Sequence, residues 1–148
     1  MTKLIIFDWG RTLFDNDNNM LFPETKELVA HLAKNYTLAI VSLAKDGDFE
    51  RRWRVIRNEN LEPHFASILF TAGDKDALYA ETLTELAVAP QDTTIVDDRT
   101  LRGIAWGNKN GARTIWVKKG KFADELPNET TGEPTHTIRR LDELYSIL

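Results

Sequence analysis

The apolar positions of this chain fall into two kinds of run. Leu4-Ile5-Ile6-Phe7, Thr37-Leu38-Ala39-Ile40-Val41, Ser67-Ile68-Leu69-Phe70, Thr94-Ile95-Val96 and Thr114-Ile115-Trp116-Val117 are short stretches without a polar face. Runs of this kind suit strands buried on both sides. Between them lie longer segments with apolar residues at helical spacing. Pro23 to Lys34 carries Leu28 and Leu32, and Asp48 to Asn60 leads up to Leu61 with Trp53 and Ile56 turned inward. Lys75 to Ala87 carries Leu78, Leu83 and Leu86, and Leu101 to Asn110 is closed by Gly111. Pro23 suits a first helical turn and Gly111 the position just past a last one. Thr135 to Ile138 reads as a sixth strand, Leu141 to Leu148 as a closing helix, and Lys118 to Pro134 as a surface loop.

Buried strands alternating with helices predict an α/β fold, with a parallel sheet of five or six strands and right-handed crossovers. The 148 residues fit one domain spanning 1–148. In such sheets ligands bind at the carboxyl ends of the strands, near the point where strand order reverses. The residues just past each strand are therefore the ones to carry chemistry. Asp8 comes after the first, Ser42 after the second, and Asp97 and Asp98 after the fourth, while Lys75 opens a helix shortly after the third.

Composition narrows the classes. The chain is 42% hydrophobic and 28% charged, which suits a globular domain. A net charge of -4 argues against a broad nucleic-acid footprint. No cysteine is present, so disulfides, thiolate zinc sites and thiol catalysis are excluded. The apolar run before Asp8 is too short for a signal peptide, and no stretch approaches the ~20 apolar residues of a membrane span. A cytoplasmic location is expected.

Several carboxylates at one sheet edge repel unless a cation sits among them, and hard oxygen ligands suit Mg2+. With a lysine and a serine hydroxyl nearby, such a site suits a phosphoryl group, and an aspartate can attack phosphorus.

The order of these residues resembles the haloacid dehalogenase-like (HAD) superfamily. Phe7-Asp8-Trp9-Gly10-Arg11-Thr12-Leu13 is similar to its first motif, with Thr12 four residues after Asp8. Ile40-Val41-Ser42, Gly73-Asp74-Lys75 and Ile95-Val96-Asp97-Asp98 resemble its second, third and fourth. The likeness runs from residue 3 to about 118. It implies a Rossmann-like, doubly wound three-layer sandwich and a magnesium-dependent phosphatase. Asp8 would be nucleophile and metal ligand, and the carbonyl of Gly10 a further ligand. Asp98, with Asp97 beside it, would supply the acidic ligands. Ser42 and Lys75 would hold the phosphoryl oxygens, and the N–H groups of Trp9 and Gly10 would cradle them.

Two positions depart from the family pattern. The family's phosphatases usually carry a second Asp, the proton donor to the leaving group, where this chain has Gly10. Arg102 stands where another acid is common, and could pair with Asp97 or Asp98 or reach a substrate anion. The 34 positions from Asp8 to Ser42, and the similar span from there to Lys75, leave no room for an inserted cap domain. An open site is expected, acting on a phosphorylated small molecule or macromolecule, with oligomer contacts one way of covering it.

Three readings are open. The first is a hydrolase working through an Asp8 aspartyl-phosphate, slowed by Gly10. The second is a degenerate relative that binds a phosphorylated ligand or partner without turnover. The third is hydrolysis at carbon, against which the retained Asp98 argues. Arg51, Arg52, Arg54 and Arg57 form a basic run whose default is a solvated helix face, with an anionic partner as the sharper alternative. Trp53, Trp106 and Trp116 read as packing residues. Trp9 suits packing or pocket shaping equally. Asp15 and Asp17 are candidates to replace the missing acid.

Overall fold

The computed structural model describes residues 1–148. Six parallel strands form the main sheet: β1 (Leu4–Phe7), β4 (Thr37–Leu43), β5 (Ser67–Thr71), β6 (Thr93–Asp97), β7 (Arg113–Val117) and β8 (His136–Ile138). Two further strands, β2 (Phe14–Asp15) and β3 (Met20–Leu21), make a small antiparallel hairpin that the apolar pattern did not suggest. The helices are α1 (Thr25–Leu32), α2 (Phe49–Asn58), α3 (Lys75–Leu86), α4 (Ala105–Asn110) and α5 (Leu144–Ile147).

The sheet order is β5-β4-β1-β6-β7-β8. From β1 the chain moves outward one way through β4 and β5, then crosses back to build β6, β7 and β8 on the other side. The order reverses around β1, which is why β1 is apolar on both faces: all four of its residues are fully buried. Successive residues serve opposite layers. Ile5 and Phe7 pack with Leu28, Val29 and Leu32 of α1, Ile56 of α2 and Leu144 of α5. Leu4 and Ile6 pack with Tyr79 and Leu83 of α3, and Trp106 of α4 lies against the same cluster. Each such side chain contributes roughly 1.5–3 kcal/mol when taken from water.

Register determines the site. Phe7 pairs with both Ile40 and Val96, so Asp8, Ser42 and Asp97 emerge side by side at one end of the sheet. No cap domain interrupts the chain; the hairpin β2–β3 is the sole structure between β1 and α1. No helix is long and apolar enough to cross a membrane.

The boundaries differ from expectation in two places. The helix expected from Leu101 begins as a π-helical turn over Thr100–Ile104 before α4. The closing helix is short, a 3₁₀ turn at Leu141–Glu143 followed by α5. The 118–134 stretch contains no strand or α-helix, but it is anchored. Thr131 is buried, and Asn108 donates to the carbonyls of Thr131 and Glu133.

At Gly107 the helix runs against the sheet with no room to spare. A Cβ there would lie 2.5 Å from Cγ2 of buried Thr114 and 3.2 Å from Ile95. Gly107→Ala is expected to lower stability by about 1–3 kcal/mol through overpacking. Urea denaturation measures this, and an unchanged midpoint would contradict the packing described.

Candidate active site

The first turn after β1 presents Asp8. Beyond it, Arg11 adopts a left-handed conformation (φ 62°) that side chains other than glycine rarely take. The N–H groups of Thr12, Leu13 and Phe14 all converge on the carbonyl of Trp9, closing the loop. Trp9 is buried and stacks on Phe14, ring centroids 5.5 Å apart, so it both packs the core and walls the cleft beside the site.

Ser42, at the end of β4, donates to Asp8 Oδ1 at 2.6 Å. Lys75 is the first residue of α3, whose N-terminus is capped by the Asp74 carboxylate. Its buried ammonium reaches Asp97 Oδ2 at 2.8 Å and Asp8 Oδ1 at 3.3 Å. Asp97 is fully buried and accepts two backbone donors as well, from Arg99 at 3.1 Å and Gly103 at 2.8 Å. The π-helical turn delivers that second donor. Any side chain at Gly103 would collide with Asp97 Oδ2 at 2.5 Å and the Tyr79 hydroxyl at 2.7 Å.

Asp98 differs from its neighbour. Its backbone is held by the Trp116 indole N–H, yet its carboxylate Oδ2 is buried without a hydrogen-bond partner. Oxygens of Asp8, Asp97 and Asp98 all lie within 4.8 Å of one another. Three N–H donors occupy Asp97, so Asp98 is the acid with an oxygen left unengaged.

The electrostatics reflect this geometry. Burial, then the negative charges of Asp8 and Asp97, push the Asp98 carboxyl up to about 10. Burial likewise raises Asp8, although Lys75 works against it. Burial alone would raise Asp97 too, but Lys75 and the backbone N–H of Arg99 outweigh it and hold that carboxyl below its ordinary value. Burial disfavours the charge on Lys75, but Asp8 and Asp97 more than compensate and leave its ammonium well above the ordinary lysine range. One ammonium among three carboxylates leaves two negative charges unopposed, which matches a divalent cation.

Arg52 is a functional candidate that the sequence pattern assigns to a solvated face. From α2 its Nη1 donates to Ser42 Oγ at 3.0 Å, and its guanidinium lies over Phe70. The signal is present in the spacing: Arg52 stands four residues before Ile56, the fully buried residue of α2, and so shares its inward face. Arg102 lines the same pocket without forming an ion pair; neither Asp97 nor Asp98 engages it. The candidates for a replacement acid lie elsewhere. Asp15 accepts from Asn18 within its own loop, and Asp17 pairs with Arg11. Asn16 instead stands beside Gly10, its amide 3.2 Å from where a Cβ would be. The segment after β7 closes another edge, with Arg99 bonded to Glu125 and stacked on Phe122.

Together these side chains line a pocket of about 150 Å³ around Asp8, and a cleft of about 390 Å³ adjoins it. Asn16 and Arg52 line both.

The chain is similar to known proteins in sequence and in fold. The profile of the HAD-hydrolase-like family matches residues 75–144. The HAD-hydrolase-type protein YfnB of Bacillus subtilis is 25% identical over 144 residues, covering 91% of this chain and 57% of that protein. A glyceraldehyde 3-phosphate phosphatase of Pyrococcus furiosus is 28% identical over 133 residues, covering 85% of this chain and 53% of that protein. The chain thus spans about half the length of the curated relatives it matches. A crystal structure of YfnB bound to magnesium superposes with a TM-score of 0.81 at 16% identity, over 99% of this chain and 98% of that one.

The raised Asp98 carboxyl has a consequence for stability. A group whose folded value (about 10) exceeds its ordinary 3.8 supports the fold fully at acid pH, and that support is lost as pH rises towards 10. In chelator, Asp98→Asn is expected to be more stable than the parent at pH 8 and to show a flatter pH dependence between 5 and 9. Added Mg2+ should stabilise the parent and not the variant. Denaturation at these pH values reads both effects, and a variant weaker than the parent at pH 8 in chelator would contradict the assignment.

Proposed function

We propose that this chain, which belongs to the haloacid dehalogenase-like superfamily, is a magnesium-dependent phosphatase working through an aspartyl-phosphate on Asp8. The observation that carries this reading is the pairing of a buried, hydrogen-bonded Asp8 with a partnerless buried oxygen on Asp98. A nucleophile and an unpartnered hard oxygen ligand at one sheet edge suit phosphoryl transfer better than hydrolysis at carbon, where no cation is needed. The likeness to a sugar-phosphate phosphatase supports the same class.

Asp8, Asp98 and the carbonyl of Gly10 would hold the cation, with Asp97 beside them as the anchor of Lys75. Bound there, magnesium would neutralise phosphoryl oxygens and favour attack by the carboxylate. The remaining chemistry belongs to the chain. Asp8 attacks phosphorus in line, the bond to the leaving group breaks, and the aspartyl-phosphate forms. Water then attacks phosphorus, the bond to Asp8 breaks, and inorganic phosphate leaves. Lys75 stays protonated throughout and stabilises charge on the phosphoryl oxygens. The Ser42 hydroxyl, donated to Asp8 in the free protein, turns to a phosphoryl oxygen in the complex. The backbone N–H groups of Trp9 and Gly10 complete the cradle. The substrate is a phosphorylated small molecule or macromolecule that reaches an uncapped site.

Hydrolysis of p-nitrophenyl phosphate tests the reading. Turnover should require Mg2+, vanish in chelator, and fall by at least about 10³-fold in Asp8→Asn, since that carboxylate is the nucleophile. Full activity in Asp8→Asn would end this reading. No turnover at all, with magnesium bound, would favour a protein that binds phosphorylated ligands without consuming them.

A further inference from the structure

The cleft beside the phosphoryl pocket offers space for a leaving group. Attack by Asp8 is in line, so the departing oxygen exits on the side of phosphorus opposite Asp8. Asn16 and Arg52 are the two side chains common to the pocket and the cleft, and so stand where the two join. Both present N–H groups, and neither releases a proton: one is an amide, the other a guanidinium. Gly10, the neighbour of Asn16, offers no side chain at all. No histidine lines the pocket or the cleft. The one acid lining the cleft, Asp48, is tied to Arg51 at 2.9 Å.

Arg52 and Arg102 are the pocket's arginines without an ion pair, and of these two only Arg52 also lines the cleft. Around the site, Arg11 pairs with Asp17, Arg51 with Asp48 and Arg99 with Glu125. Arg52 is half-buried, lies over Phe70, and forms no ion pair. Its one hydrogen-bond partner is the neutral Ser42 hydroxyl, which leaves its remaining N–H groups for an anion.

We infer that this site stabilises its leaving group as an anion, through the N–H donors of Arg52 and Asn16, and does not protonate it. The substrate class is set by that chemistry. The leaving oxygen must already be weakly basic, as in an aryl or enol phosphate, an acyl phosphate or a phosphoric anhydride. In the step, the Asp8 oxygen forms a bond to phosphorus and the bond from phosphorus to the leaving oxygen breaks. The electron pair stays on that oxygen, which departs hydrogen-bonded to Arg52 and Asn16 and takes any proton from bulk water. This inference rests on the Asp8 phosphatase reading and specifies its substrate.

A series of aryl phosphates of graded leaving-group pKa, together with acetyl phosphate, pyrophosphate and glycerol phosphate, tests it with the full chain and Mg2+. The expected result is a kcat/KM that falls steeply as the leaving group becomes more basic, leaving glycerol phosphate at least about 10²-fold below the most activated aryl ester, the scale of a missing general acid. Arg52→Ala should lose about 10²-fold, as when one donor to a developing oxyanion is removed, and lose more on the poorer leaving groups. Asn16→Ala, on an exposed loop, should show the same trend with the fold untouched. Gly10→Asp displaces only the end of the Asn16 side chain and should flatten the series by raising glycerol phosphate hydrolysis. A flat series in the parent protein would overturn the inference while leaving the phosphatase intact. So would equal losses across the series in both Arg52→Ala and Asn16→Ala. A selective loss of glycerol phosphate hydrolysis in Asp48→Asn would overturn it by identifying a proton donor. Failure of the phosphatase reading itself is distinct, because it would abolish Asp8-dependent turnover of every compound.

Discussion

The arrangement depends on one buried ammonium. Lys75 is almost wholly removed from water, and a charge so placed is tolerated only when paired. Its partners come from the ends of two different strands, Asp8 after β1 and Asp97 in β6, while Lys75 itself opens α3. The ion pairs thus tie the centre of the sheet to one covering layer at the edge where ligands enter. Asp97 must be fixed to serve in this way, and the backbone N–H groups of Arg99 and, from the π-helical turn, Gly103 fix it. The absent side chain at Gly103 belongs to the same device, because the close approach of that turn to Asp97 leaves no space for a Cβ.

The same ammonium explains why Asp97 and Asp98, adjacent in sequence, behave as opposites. Asp97 points to Lys75 and is saturated. Asp98, in the bend just past the end of β6, brings its carboxylate to within 4.8 Å of those of Asp8 and Asp97 but finds no donor for its Oδ2. A buried oxygen left unpaired is costly, on the order of 1–3 kcal/mol for a neutral group and more for a charge. Burial and the charges of Asp8 and Asp97 accordingly raise the Asp98 carboxyl.

Much of this was legible in the sequence because strand ends are easy to find. Leu4–Phe7 and Thr93–Asp97 are uninterrupted runs buried throughout, and the residues at their carboxyl ends must lie at the sheet edge. The hairpin was not legible, since strands of two residues have no period to detect. Without the hairpin, Asn16 cannot be placed against Gly10. Arg52 was obscured by its neighbours: in a run of four arginines only helical phase relative to Ile56 separates the one that turns inward. The 118–134 stretch has a loop's composition, yet Glu125 receives Arg99, Thr100 and Leu101, and Thr131 is buried. Its order comes from partners distant in sequence, which no local pattern reveals.

The charge of the whole chain and the charge of its site have opposite senses. A net -4 would repel a phosphorylated ligand at long range, but exposed charges beyond a Debye length of about 8 Å are largely screened at physiological salt. At contact, a ligand meets the rim. Arg11 and Arg99 there are neutralised by their own carboxylates, whereas Arg52 and Arg102 are not. These two arginines come from different elements, one from α2 and one from the π-helical turn. No cap is inserted between the strands to cover the sheet edge. Local, uncompensated guanidinium groups offer another means of retaining an anion at an open sheet edge, and their planar donors give direction as well as charge.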